Sequence, residues 1–126
     1  MDVLVDTSVW IDHFRNGNAG LIRLLTLDHA LTHPMVIGEI ACGTPPAPRT
    51  QTLANIGLLR RSHQASIEEV SEFIEREKLY GLGCGLVDLS LLASALITPK
   101  TQLWTLDKRL EEIAAHFNVS YGQLWH

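Results

Sequence analysis

The sequence predicts an α/β protein, a three-layer α/β/α sandwich built around a small parallel sheet. Short apolar runs that suit buried strands alternate with segments of helical periodicity, and strands separated by helices pair in parallel through right-handed crossovers. The chain of 126 residues has 46% apolar and 19% charged residues, a composition typical of a globular core. Because this length suits one core and is too short for two ordinary ones, we expect residues 1–126 to form a single domain.

Apolar runs and the residues that end them define the first half of the chain. The run from Val3 to Val5 suits a buried strand, and Asp6 directly after it is a residue type that often begins a helix. Pro34 stands where a helix accepts proline, at its first position. The predicted elements are a strand over Val3–Val5, helices over Ser8–Phe14 and from Leu21 to Asp28, a strand over Ala30–His33, and a helix from Pro34 to Gly43.

Capping signals and glycines define the second half. Ser66 followed three residues later by Glu69 is a capping-box pattern, and Asp107 is a favoured residue before a helix. The proline-rich segment 44–48 is too short for a domain linker and is interpreted as a rigid loop. The predicted elements are helices over Arg49–Arg61 and Ser66–Leu79, a loop over Gly81–Gly85, a helix over Leu86–Ile97, a strand over Gln102–Leu106, and a helix from Asp107 to Phe117.

Composition excludes several classes of protein. Ten Lys and Arg against fourteen Asp and Glu give a formal net charge of −4, so any contact with nucleic acid must be local. The longest apolar stretches are too short to cross a bilayer, and the amino terminus lacks the positive charge of a secretory signal. We therefore expect a cytoplasmic protein without a membrane segment. Cys42 and Cys84 form neither a C-x-x-C motif nor a disulfide framework and are expected as reduced thiols.

Four acidic residues occupy positions that indicate a metal site. Asp6 and Asp107 each follow a predicted strand directly, and ligand sites of such folds lie at the carboxyl ends of the strands. Glu39 and Asp88 stand in apolar helix starts without a nearby Lys or Arg. A buried carboxylate is costly unless a cation or hydrogen bonds compensate for the lost water. A hard divalent cation such as magnesium is the simplest partner, so the four acids are predicted to hold one or two ions.

Four segments resemble the motifs of PIN-domain ribonucleases and occur in the same order. They are Val3–Ile11, Gly38–Ile40, Val87–Ala93 and Leu103–Leu110. The resemblance spans residues 2–110 and is strongest to VapC-type toxins of bacterial toxin–antitoxin pairs, which have about this length. It matches the family's acidic quartet and its hydroxyl positions to six residues of this chain, the acids Asp6, Glu39, Asp88 and Asp107 and the supporting hydroxyls Thr7 and Thr105.

The resemblance implies a PIN fold and an endoribonuclease that depends on Mg²⁺ or Mn²⁺. Bound divalent metal neutralises a phosphodiester and activates water, and helix N-termini near Thr7 and Asp88 would add N–H donors for phosphate. The resemblance also implies a homodimer and inhibition by a small antitoxin protein. Candidates for contacts with the RNA backbone are Arg15, Arg49, Arg60 and Arg61.

Other interpretations of the same residues remain open. Asp6 and Asp107 are also suitable helix N-caps, Glu39 a solvated helix residue, and Asp88 an acid that complements a helix dipole. A phosphoaspartyl phosphatase usually has a second acid two residues after the first, where this chain has Ser8. A stand-alone housekeeping PIN ribonuclease and a catalytically silent PIN-like interaction module are the two remaining alternatives.

Several residues are assigned to structure or to a partner surface. The helices around Leu53–Leu59 and Ile67–Leu79 carry more apolar residues than a thin sheet requires, which indicates a surface covered by another chain. His33 is interpreted as a loop residue rather than a ligand. The tryptophans are interpreted as packing residues, with Trp125 also available to a partner; they are Trp10, Trp104 and Trp125.

Overall fold

Three short parallel strands and seven helices make up residues 1–122, the part of the chain that this computed structural model describes. They confirm the predicted α/β architecture. The strands are β1 (Asp2–Val5), β2 (Ala30–Leu31) and β3 (Thr101–Trp104). The helices are α1 (Thr7–Asn16), α2 (Ala19–Thr26), α3 (Pro34–Cys42), α4 (Arg49–Gly57), α5 (Ile67–Glu77), α6 (Leu86–Ile97) and α7 (Lys108–His116).

Strand β1 lies in the middle of the sheet, whose order is β2-β1-β3. It pairs in parallel with β2 through Val3 and Leu4, and with β3 along its whole length. Its three apolar residues are buried, which explains the uninterrupted apolar run in the sequence. Because β1 and β3 are parallel neighbours, the residues that follow them emerge at the same edge of the sheet.

Several element ends differ from prediction, and a long-range contact accounts for two of them. Strand β2 stops at Leu31, since Thr32 forms a parallel bridge with Arg61 and His33 already caps α3. Helix α4 ends at Gly57 instead of Arg61, because the chain must turn back to bring Arg61 alongside Thr32. Strand β3 begins one residue earlier than predicted and ends at Trp104.

Helix α6, which carries Asp88 in its first turn, is largely buried. Every residue from 89 to 95 is buried, and the helix packs against β3, α5 and α7. Phe73 and Phe117 contact each other with ring centroids 5.4 Å apart and so join α5 to the residue that follows α7. The capping box of α5 is present as predicted, with Ser66 and Glu69 exchanging hydrogen bonds. These contacts fix the amino end of α6, where Asp88 stands.

An ion pair closes the amino-terminal edge of the sheet. The Arg60 guanidinium donates to both carboxylate oxygens of Asp2, at 3.0 and 3.2 Å, and to the carbonyl of Asp28 at 2.6 Å. The hydrogen bond from Arg60 holds the pKa of Asp2 below its usual value. Since Asp2 begins β1, this pair lies at the opposite end of the strand from Asp6. Arg60, a candidate for contact with the RNA backbone, is therefore hydrogen-bonded within the fold at the edge away from Asp6, and its contact with RNA stays a prediction.

The predicted packing roles of the tryptophans hold for two of them. Trp10 is buried in the core, and Trp104 packs against Tyr121 with ring centroids 5.2 Å apart. Trp125 lies outside the described residues. Within residues 1–122, no helix has the length and apolar character that a membrane span requires.

Candidate functional site

The carboxyl ends of β1 and β3 open into a cleft of about 390 Å³. Four structural elements contribute to it: the β1–α1 junction, α3, the first turn of α6, and the β3–α7 junction. The lining residues are Asp6, Thr7, Ser8, Ile11, Glu39, Asp88 and Asp107. All four acids that the sequence predicted as a site thus line one cleft, although they come from distant parts of the chain.

Asp6 is held rigidly at the end of β1. Its Oδ2 atom accepts hydrogen bonds from the hydroxyls of Ser8 at 2.6 Å and Thr105 at 2.8 Å. Its backbone N–H donates to the carbonyl of Trp104 at 2.9 Å, which ties the junction to β3. The residue is 5% exposed and also caps α1. The orientation of the carboxylate is therefore set by hydroxyl groups from both junctions.

Glu39 and Thr7 form a contact between α3 and α1. The Thr7 hydroxyl donates to Glu39 Oε1 at 2.7 Å. Glu39 is exposed, whereas its neighbour Ile40 is in the core. The expectation that its apolar surroundings bury this acid is therefore wrong. Helical geometry turns adjacent residues to different faces, so Ile40 packs inward while Glu39 faces the cleft.

Asp88 is half-buried at the amino end of α6, and the environment disfavours its charge. Burial raises its pKa above the ordinary value, and the negative charges of Asp6, Asp107 and Glu39 raise it further. A hydrogen bond with the backbone of Gly85 acts in the opposite direction. The carboxylates of the cleft are thus close enough to repel one another.

Asp107 is both the N-cap of α7 and a lining residue of the cleft. Its Oδ1 atom accepts hydrogen bonds from the backbone N–H groups of Arg109 at 2.9 Å and Leu110 at 3.1 Å. Its own N–H donates to the Thr105 hydroxyl at 3.1 Å. The interpretation of Asp6 and Asp107 as helix N-caps is therefore confirmed. It does not compete with a role in the cleft, because the same side chains do both.

Ser8 is a site residue that the sequence argument missed. Its hydroxyl donates to Asp6 and accepts the backbone N–H of Leu106 at 3.0 Å, a residue 98 positions away. Ser8 therefore joins the β1–α1 junction to the β3–α7 junction. A signal for this role is present in the sequence, because a hydroxyl two residues after an acid at a helix start can bond to that acid.

His33 is neither a loop residue nor part of the cleft. It is 3% exposed; its Nδ1 accepts the backbone N–H of Met35 at 3.0 Å and so caps α3. Its Nε2 lies 3.2 Å from the Ser94 hydroxyl. Burial lowers the pKa of His33, with Arg61 adding to the effect. The interpretation of His33 as a loop residue is thus corrected: it is a buried, neutral helix cap.

The polar side-chain atoms that line the cleft are oxygens, the atom type that hard divalent cations prefer as ligands. Its polar lining groups are carboxylates and hydroxyls, with no basic side chain among them, and magnesium and manganese take oxygen ligands. Within residues 1–122, however, no group of three or more acidic, histidine or cysteine side chains is arranged so that it could hold a metal ion. The donors therefore share one cleft without being arranged around a common point.

Comparisons with known proteins agree with this architecture. No model of a protein family matches the chain. Ribonuclease VapC32 of Mycobacterium tuberculosis, from strain CDC 1551 / Oshkosh, is 39% identical to it over 121 residues, which cover 96% of this chain and 97% of that protein. Ribonuclease VapC32 from strain ATCC 25618 / H37Rv matches with the same identity and coverage. At this identity over nearly the whole of both chains, the protein belongs to the VapC family of PIN-domain ribonucleases.

Proposed function

We propose that the protein is a metal-dependent endoribonuclease that cleaves RNA phosphodiesters. One observation carries the proposal: four acids from four separate elements line a single cleft that has no basic lining residue. Helix capping accounts for Asp6 and Asp107 singly, but it does not explain why four carboxylates that repel one another, as the raised pKa of Asp88 indicates, line the same cleft. The similarity to Ribonuclease VapC32 supports RNA cleavage as the reaction of this cleft.

Asp6, Glu39, Asp88 and Asp107 would together hold Mg²⁺ or Mn²⁺. A bound divalent cation supplies neutralisation of the phosphodiester charge and a more acidic water. The four acids are proposed as the catalytic and metal-binding groups, and two threonines support them. Thr105 orients Asp6 through its 2.8 Å hydrogen bond, and Thr7 orients Glu39 at 2.7 Å.

The amino ends of two helices contribute to phosphate binding in this proposal. Helix α1 begins at Thr7, directly after Asp6, and α6 begins two residues before Asp88. The first N–H groups of a helix lack intrahelical acceptors, and the helix dipole favours an anion there. Both helices thus favour the placement of an RNA phosphate beside the carboxylates.

Cleavage of RNA with and without chelator tests the proposal. We expect the purified protein to cleave single-stranded RNA in Mg²⁺ or Mn²⁺, to lose this activity in EDTA, and to regain it when excess Mg²⁺ is added, because charge neutralisation by the metal is required. Gel analysis of end-labelled RNA measures each step. Activity that persists in EDTA contradicts the metal requirement. Absence of cleavage with either metal favours the silent interaction module.

The proposed physiological role is that of a cytoplasmic toxin, a homodimer that a small antitoxin inhibits. Two apolar grooves support a need for partners. One lies between α1, α2 and α4 and is lined mainly by Trp10, Phe14, Leu25, Ile56 and Leu59. The other lies between α5 and α6 and includes Phe73, Ala93, Leu96 and Ile97. The helices predicted to carry excess apolar residues therefore line these grooves, and Leu58 beside the first is 84% exposed.

Co-expression with the neighbouring small gene tests the toxin role. We expect a stable complex without nuclease activity, because an arginine of the partner's basic tail can bind the cleft carboxylates and exclude metal. Truncation of that tail is expected to restore cleavage before it abolishes binding, as measured by copurification and RNA cleavage. A protein that cleaves RNA, captures no such partner and leaves growth unaffected is a housekeeping ribonuclease instead.

A further inference from the structure

The side chain of Arg109 rests against the glycine loop between α5 and α6. A Cβ atom built on Gly83 would lie 2.8 Å from Cδ and 2.9 Å from Cζ of Arg109, and would overlap Nη1. Gly83 also has a φ of +88°, a conformation that side-chain-bearing residues rarely adopt. Only glycine therefore allows the guanidinium to lie against the loop backbone here.

The charge of Arg109 does not stabilise α7, the helix that contains it. It is the second residue of α7 and follows Lys108, so two cations stand at the amino end, where the helix dipole is positive. Among residues 1–122, Arg109 forms no ion pair within 4.0 Å, and its side chain is exposed. A cation placed against the dipole and without an acidic partner is available to an anion from outside the chain.

The side chain of Arg109 reaches from the start of α7 to the loop that precedes α6. The backbone N–H of Arg109 donates to Asp107, which lines the cleft. Cys84 is adjacent to Gly83, and both burial and nearby charges shift its pKa. Burial raises the pKa of the thiol, Asp88 and Asp107 raise it further, and Arg109 lowers it. Arg109 therefore stands two residues after Asp107, with its guanidinium against the loop that leads into α6, the helix of Asp88.

RNA needs such a cation because the protein carries a net charge of −4 and the cleft lining is acidic. Of the arginines predicted from the sequence, Arg60 is bound to Asp2, and Arg49 donates to the carbonyls of Ala41 and Gly43. Both of these guanidinium groups are thus hydrogen-bonded within the fold. The planar fork of donors in a guanidinium suits a phosphate.

We propose that Arg109, seated on Gly83, binds an RNA phosphate beside the acidic cleft and so positions the strand for cleavage. The inference rests on the proposed function and names the residue that holds its substrate. Arg109 acts on binding, since it contacts a phosphate that does not react. Its loss should therefore affect the affinity for RNA more than the rate of the chemical step.

Two measurements test the role of Arg109: the KM and kcat of RNA cleavage by the active protein, and the Kd of a fluorescent single-stranded RNA in an Asp88→Asn background that leaves the RNA intact. We expect Arg109→Gln to raise KM and Kd about ten-fold, the loss of one charged hydrogen-bonded contact. The change in kcat should stay below about three-fold. The slope of log K against log salt should fall by about 0.7, one phosphate contact on a single strand.

Glycine variants distinguish a seated arginine from general loop strain. Gly83→Ala displaces the guanidinium and should match Arg109→Gln, with no further loss in the double variant. Gly81 has a similar φ of +72° but open space around its Cβ position, so Gly81→Ala imposes comparable strain without touching Arg109 and should bind normally. Arg76→Gln, on the exposed face of α5, controls for the loss of one positive charge.

The possible outcomes distinguish the inference about Arg109 from the proposed function of the protein. Unchanged KM, Kd and salt slope in Arg109→Gln, with a parent protein that cleaves RNA, overturn the inference and leave the proposed function standing. Equal losses in Gly81→Ala and Gly83→Ala show that loop conformation matters and also overturn it. A wild-type protein that neither binds nor cleaves RNA overturns both.

Discussion

Replacement of Asp6 by asparagine is expected to slow RNA cleavage roughly 10²- to 10³-fold, the loss that follows removal of one electrostatic stabiliser from an active site. The fold should persist, because asparagine is as good an N-cap as aspartate. The hydroxyls of Ser8 and Thr105, which now donate to Asp6 Oδ2, can donate to the amide oxygen instead. The substitution thus removes the charge and retains the local structure.

Single-turnover cleavage in excess enzyme measures this effect, with circular dichroism as the check on folding. Asp12→Asn is the matched control: Asp12 is on the same helix, outside the cleft, and accepts hydrogen bonds from Asn16 and Asn18. It should cleave RNA at the wild-type rate. Full activity of Asp6→Asn, in a preparation free of wild-type nuclease, would show that Asp6 only caps α1.

Replacement of Asp88 by asparagine is expected to have opposite effects on stability and on activity. The pKa of Asp88 is raised in the folded protein above its ordinary value of 3.8, by burial first and then by Asp6. An acid with a raised pKa contributes stability that is present below its unfolded pKa and is lost as pH rises through the folded pKa. At neutral pH the ionised carboxylate therefore destabilises the metal-free protein, and the neutral amide should raise its Tm.

Magnesium should reverse the order of the two Tm values, so that wild type melts at a higher temperature than Asp88→Asn. At ten times its dissociation constant it adds about 1.4 kcal/mol to wild type, a rise in Tm of a few degrees. Asp88→Asn should gain less and should lose cleavage. Thermal melts from pH 4 to 8, in EDTA and in Mg²⁺, measure both effects, with Asp12→Asn as the control for an acid outside the cleft. A Tm that ignores magnesium and falls in Asp88→Asn contradicts this account and favours Asp88 as a helix-dipole acid.

The elements predicted most accurately are those whose signals are local. Helix Leu86–Ile97 has the predicted bounds, because its apolar run and the glycines before it suffice to define it. The ends of α4 and β2 were wrong, since the bridge between Thr32 and Arg61 decides them and joins residues far apart in sequence. Local propensity carries no information about such a partner.

The acids of the cleft could be predicted for a similar reason. Asp6 follows β1 directly, Asp107 follows β3 after two residues, and parallel pairing of β1 with β3 brings these positions to one edge. The contact of Ser8 with Leu106 and that of Arg109 with Gly83 could not be predicted, because each joins residues far apart in sequence. The exposure of Glu39 was misjudged because an apolar neighbourhood in sequence does not decide which face of a helix a residue occupies.

The central place of β1 in the sheet determines when the cleft can form during synthesis. Residues 2–5 are synthesised long before residues 101–104, their partners in β3. The hydrogen bond from Thr105 to Asp6 spans 99 positions. A nascent chain that ends before Thr101 therefore lacks the pairing of β1 with β3 and the Thr105 hydroxyl that helps to orient Asp6. Such long-range closure slows folding, and it means that the cleft is assembled only after most of the chain has been translated.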